Sequence, residues 1–87
     1  MAAYRVLILR PALSELEAVN RKQDRRRIVR RISSLADDPR PRGCEKLSST
    51  LNRYRIRQGD FRIVYAIDDV RTTVTVVRIG HRREVYR

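Results

Sequence analysis

The stretch 51–70, LNRYRIRQGDFRIVYAIDDV, reads as two strands joined by a tight turn at Gly59-Asp60. A glycine-first two-residue loop between apolar runs signals a hairpin, because glycine supplies the positive φ that such turns demand. With Gln58 and Phe61 flanking the turn, Arg57 falls opposite Arg62, Ile56 opposite Ile63, Arg55 opposite Val64 and Tyr54 opposite Tyr65. Side chains alternate between the two faces of a sheet. One face then carries Tyr54, Ile56, Phe61, Ile63, Tyr65 and Ile67 and requires a core. The other gathers Arg55, Arg57 and Arg62. Like charges directly across a strand pair repel, so this face is expected to stay open and to meet an anion.

Composition agrees. The chain has 87 residues and a formal net charge of +11, and its basic residues are Arg apart from Lys22 and Lys46. That length suits one domain, residues 1–87, with a small core. Arg is the side chain suited to planar, bidentate recognition of phosphate. A small, strongly basic chain points first to nucleic acid, then to an anionic membrane or an acidic protein. Cys44 is the lone cysteine, which rules out an intrachain disulfide and fits a reducing, cytoplasmic setting. No run is apolar and long enough for a membrane span. No Cys/His spacing suits zinc and no phosphate-loop motif is present, so neither metal nor cofactor is expected.

Taken in order, residues 3–9 read as a first strand. Pro11 suits the start of a helix, and residues 12–22 continue it with Leu13 and Leu16 inward. Asp24 is the expected N-cap of a second helix. There Ile28, Ile32, Leu35 and Ala36 share one face, and Arg26, Arg27, Arg30 and Arg31 fall largely on the other. Asp38-Pro39 ends that helix. Residues 38–50 read as a loop, followed by the hairpin. Residues 72–79 form a further strand that Gly80 breaks, and the tail GHRREVYR is charged. The expected fold is α+β, in the order β-α-α-β-β-β. Two helices cover one face of an antiparallel sheet and the basic face stays open.

The strings YRIRQGDFRIVYAIDD and VTVVRIGHRREVYR resemble the RelE family of toxins, within the wider RelE/ParE superfamily. The resemblance implies the toxin of a type II toxin–antitoxin pair that enters the ribosomal A site and cleaves mRNA there. It implies a cognate antitoxin wrapped around the toxin, acidic at the contact, through which the complex would bind its own operator DNA. Matched position by position, Arg55 and Arg57 stand where the well-known member has Lys. Arg62, Arg82 and Tyr86 match its Arg, Arg and Tyr, with a shorter spacing between the last two. These five are the implied catalytic set, with His81 and Arg83 secondary. Arg26, Arg27, Arg30 and Arg31, the charged face of the second helix, are the expected contacts to RNA or the ribosome.

The chemistry suits those residue types. Cleavage without a metal uses the neighbouring 2′-hydroxyl as nucleophile, and preorganised cations stabilise the charge of the pentavalent transition state. Tyr86 could stack on a base. A general base is harder to find: Arg stays protonated, and His81 has the right intrinsic pKa but a ring that sequence alone does not place. Simpler readings stand beside these: a solvated face for the strand and helix arginines, a turn residue for His81, core roles for Tyr54 and Tyr65, an incidental Cys44. Two rival functions also stand. One is a ParE-like toxin that poisons DNA gyrase; the other is a basic RNA-binding domain without catalysis.

Overall fold

A computed structural model describes residues 3–48 and 51–81. The elements are β1 (Arg5–Ile8), α1 (Arg10–Glu17), α2 (Lys22–Ser34), β2 (Glu45–Ser48), β3 (Arg53–Gln58), β4 (Phe61–Asp68) and β5 (Thr73–His81). The α+β arrangement is the one expected, with five strands in the order β1-β5-β4-β3-β2. Strands β2 to β5 form an antiparallel meander, and β1 adds to β5 in parallel. A parallel neighbour needs a long crossover, which the helices and the meander supply.

The hairpin forms in the expected register, with Arg57 opposite Arg62 and Tyr54 opposite Tyr65. Gly59 takes φ +60, as the first central residue of a type II′ turn requires. Tyr54, Ile56, Ile63, Tyr65 and Ile67 are buried with Ala12, Leu16, Val19, Ile28, Ile32 and Leu35 from the helical layer. Each large side chain buried there contributes about 1.5–3 kcal/mol. Tyr65 is fully buried and donates its hydroxyl to the Pro39 carbonyl at 2.8 Å. Burial raises its phenol pKa well above the usual range.

The structure differs from expectation at four places. Residues 38–50 include β2, whose Glu45 and Lys46 pair with Arg55 and Tyr54. A strand of four residues carries too little periodicity to be told from a loop. Helix α2 starts at Lys22 with Arg21 as its N-cap residue, and Asp24 sits in the first turn, where it still favours the helix dipole. Helix α1 begins earlier than expected, at Arg10, and ends earlier, at Glu17. Gly80 does not break β5, which runs through to His81.

A bulge in β5 explains that last strand. Tyr65 pairs with Val76 and Val64 with Arg78, leaving Val77 as the extra residue. The inserted residue resets the alternation, so Val74 and Val76 before it and Ile79 after it are all buried. β1 pairs β5 as far as Val76. Beyond it α1 takes over: Glu15 accepts the Ile79 N–H at 2.9 Å and an Arg78 guanidinium N–H at 3.1 Å.

At the opposite end of the sheet, Asp69 accepts Tyr4 Oη at 2.6 Å and Arg40 Nη2 at 2.8 Å. Arg40 also donates to the Tyr54 hydroxyl at 3.1 Å. This clasp joins the chain ahead of β1, the 38–44 loop, β3 and the β4–β5 turn. The Arg40 and Tyr4 hydrogen bonds hold the Asp69 carboxyl below its ordinary pKa. A depressed folded-state pKa gives stability that is present above the unfolded value, about 3.9, and lost as pH falls through the folded one. Asp69→Asn should therefore lower stability at neutral pH, and the gap to wild type should close below about pH 4. Urea unfolding of both proteins across pH 2.5–7 checks this; a gap independent of pH overturns it. Among the described residues, no helix is long and apolar enough to cross a membrane.

Candidate functional site

β2 pairs with β3 only from Arg53 to Arg55. Beyond that point, among the described residues, the hairpin end of β3 is a sheet edge, and a groove of about 270 Å³ opens there. Its lining includes Arg31 of α2, Gly43 just ahead of β2, Glu45 of β2, and Arg55, Arg57 and Arg62 of the hairpin. The structure thus brings together the three arginines expected from the hairpin, and adds Arg31 and Glu45.

The three hairpin arginines are not equivalent. Arg62 is on β4, inside the sheet, and is 8% exposed, which corrects the expectation that this pleat cannot bury it. The Arg stem is long enough to pack along apolar surface while its head reaches a groove. Arg57, directly across from it, is exposed. Arg55 faces Glu45 across the β2–β3 ladder and donates to its carboxylate at 3.0 Å. Glu45 offsets part of the like-charge repulsion on this face and stays more than half exposed.

Glu45 is the one carboxylate among the described residues lining the groove. Sequence alone places it in a loop. The segment Glu45–Ser48 offers two charges and a single apolar residue, and nothing local aligns Glu45 with Arg55. Sequence alone also groups Arg31 with the other α2 arginines as a ribosome contact. The fold divides that set. Arg31 reaches the groove, whereas Arg26 lies on the other flank of α2, beside Leu16, Arg25 and Val29.

His81 goes elsewhere. It pairs with Phe61, and the two rings meet edge-on with centroids 5.9 Å apart. Phe61 belongs to the helix-facing set, so His81 stands beside Val19 and Asn20 near the end of α1. Arg62 pairs with Gly80, one position earlier, and points to the other face. Cys44 packs against the core. Arg82, Arg83 and Tyr86 lie outside the described residues.

The groove therefore offers fixed cations around a concavity and one carboxylate at its rim. Such an arrangement can hold a phosphodiester, stabilise charge gathering on its oxygens and accept a proton.

Residues 6–86 match the family model described as ParE toxin of type II toxin-antitoxin system, parDE. Toxin RelG of Mycobacterium tuberculosis is 44% identical over 34 residues, which cover 39% of this chain and 39% of RelG. The fold superimposes on the RelE–RelB complex of Pyrococcus horikoshii with a TM-score of 0.83 and 26% identity, over 95% of this chain and 99% of that one. The isolated RelE toxin of E. coli gives a TM-score of 0.77 and 26% identity, over 97% and 92%.

Proposed function

We propose that this chain, which belongs to the ParE toxin family of type II toxin–antitoxin systems within the RelE/ParE superfamily, is a ribosome-dependent endoribonuclease. A toxin of this class has a cognate antitoxin, and the net charge of +11 favours an acidic contact on it. The observation that carries the reading is the groove, where Arg57 and Arg62 face each other beside Glu45.

In the reaction, the 2′-hydroxyl of the RNA attacks the adjacent phosphorus. The P–O5′ bond breaks, leaving a 2′,3′-cyclic phosphate upstream and a 5′-hydroxyl downstream. Arg62 and Arg57 stabilise the phosphorane oxygens, where charge develops. Glu45 takes the proton of the attacking hydroxyl, and Arg55 orients that carboxylate through the 3.0 Å contact. The proton required by the departing 5′-oxygen comes from solvent or from Tyr86, since Arg stays protonated; Arg82 and Arg83 belong to the same proposed site as fixed charges.

Glu45 is more than half exposed and sits on an edge strand. A group held so loosely cannot by itself enforce in-line attack, and orientation accounts for a large part of such catalysis. The ribosome supplies it by presenting mRNA in the A site. Naked mRNA should accordingly be cut negligibly, and the same message efficiently on ribosomes with an empty A site. Single-turnover assays with end-group analysis check this. Equal cutting of free and ribosome-bound RNA, or a 5′-phosphate downstream, overturns the reading.

A second reading is poisoning of DNA gyrase without RNA cleavage. The matched family is described as a ParE toxin, the branch to which the resemblance attaches that activity. Induced expression separates the two: cut mRNA and arrested translation support the first, and a DNA-damage response supports the second.

A further inference from the structure

The basic residues of α2 do not form one solvated face. On a helix, positions three and four apart share a side. Arg27, Arg30, Arg31 and Ser34 form one such stripe, displaced by one position from the buried Ile28 and Ile32. This stripe flanks the hairpin, and with Gln58 it lines a second hollow of about 330 Å³. Arg25, Arg26 and Val29 lie toward α1, and Arg30 borders both sides.

The two hollows share a wall. Arg31 lines both the second hollow and the groove of Arg57 and Arg62. Gln58 is next to Arg57 in β3, but it belongs to the helix-facing set through its pairing with Phe61. The basic surface therefore turns around the edge of β3. It runs from Arg62 and Arg57 on one side, past Arg31, to Arg27 and Arg30 on the other. The short β2 does not cover this passage, since its pairing stops at Arg55.

Resting on the reading of the groove as an RNA-cleaving site, we infer that the hollow of Arg27, Arg30, Arg31, Ser34 and Gln58 is a second phosphate subsite. It holds a backbone phosphate of RNA next to the scissile one. Three guanidinium groups around one concavity can hold a phosphate by bidentate hydrogen bonds. The Gln58 amide adds a neutral donor, and Ser34 Oγ donates its one proton to the Arg31 carbonyl at 2.6 Å. The phosphate belongs either to the mRNA strand being cut or to ribosomal RNA beside it.

The test is single-turnover cleavage on ribosomes with an empty A site, titrated with toxin at several salt concentrations, for wild type, Arg31→Gln, Arg27→Gln/Arg30→Gln and Arg71→Gln, the last in the β4–β5 turn at the far end of the sheet. Binding of a non-cleavable 2′-deoxy message is measured in parallel. Arg31→Gln and the double variant should each raise the half-saturating concentration about tenfold or more, the worth of a charge-assisted hydrogen bond. The salt slope should fall by roughly 0.7–0.9 for each phosphate that the variant no longer neutralises. Arg71→Gln should match wild type in both. A methylphosphonate beside the scissile position identifies the source. If it weakens wild type but not the double variant, the phosphate is the message's; if it weakens neither, ribosomal RNA supplies it. Variants with unchanged half-saturation and salt slope, on ribosomes that wild type cuts, overturn the subsite alone. A wild type that neither cuts nor binds RNA overturns the subsite and the ribonuclease reading together.

Discussion

Arg62→Ala is expected to lower the rate of mRNA cleavage on ribosomes about 10²–10³-fold, the usual cost of removing one preorganised donor to transition-state charge. The expectation rests on where the side chain is held. Arg62 is on β4, between β3 and β5, faces Arg57 across the ladder and is 8% exposed. A guanidinium fixed by the sheet reorganises little as charge develops, which is the condition for differential stabilisation. Burial also means that alanine removes packing: the Arg stem fills space within the sheet. Arg62→Met keeps most of that volume without the charge and separates the two effects. Both variants should lose cleavage, and Met should keep thermal stability and antitoxin affinity closer to wild type. Arg62→Lys should recover little, because one ammonium does not reproduce a planar fork. Full cleavage by Arg62→Ala at equal protein concentration removes Arg62 from the site.

Glu45→Gln is expected to lower the maximal single-turnover rate about 10²–10⁴-fold, the range for a general base, with little change in half-saturation. Glutamine is nearly isosteric, and its carbonyl can still accept from Arg55 in place of the carboxylate 3.0 Å away. The substitution therefore removes proton acceptance while keeping the cross-strand hydrogen bond. Glu45→Asp keeps the charge but shortens the reach, and should fall between wild type and Gln. A purely structural role predicts the reverse pattern, with Gln harmless and both effects appearing in stability. Cleavage by Glu45→Gln at the wild-type rate would leave Glu45 as the partner of Arg55 and nothing more.

These two residues differ in how far the sequence announces them. Arg62 is legible because a hairpin is a local object. The turn at Gly59-Asp60 sets the register, and the register puts Arg62 across from Arg57, as observed. The same alternation identifies the core face of β3 and β4, from Tyr54 to Ile67. The Ile28, Ile32 and Leu35 stripe is legible for the same reason: one helical turn brings its members together.

Glu45 and Arg31 are not legible, because their partners are distant in sequence. Glu45 meets Arg55 only once β2 pairs with β3, and β2 is too short and polar to announce itself. Arg31 enters the groove because α2 packs against the hairpin with Ile28 and Ile32 inward, which turns one flank of its arginines toward β3 and the other toward α1. His81 shows the converse. It neighbours Gly80, the partner of Arg62, yet side-chain alternation sends it to the opposite face. The bulge at Val77 sets that phase, and a bulge leaves no mark in composition.

By itself, then, the sequence determined the elements whose contacts are close along the chain: the hairpin, its register, the two amphipathic helices and the basic character of one face. Tertiary structure decided what depends on contacts between remote segments. It made β1 a parallel neighbour of β5, added β2 at the opposite edge, sank Arg62 into the sheet and stopped β2 at Arg55. Local pattern reports which side of an element is apolar; it does not report which other element comes to lie against it. The groove lies where β2 ends, between side chains of α2, β2, β3 and β4, and is created by the packing of those elements.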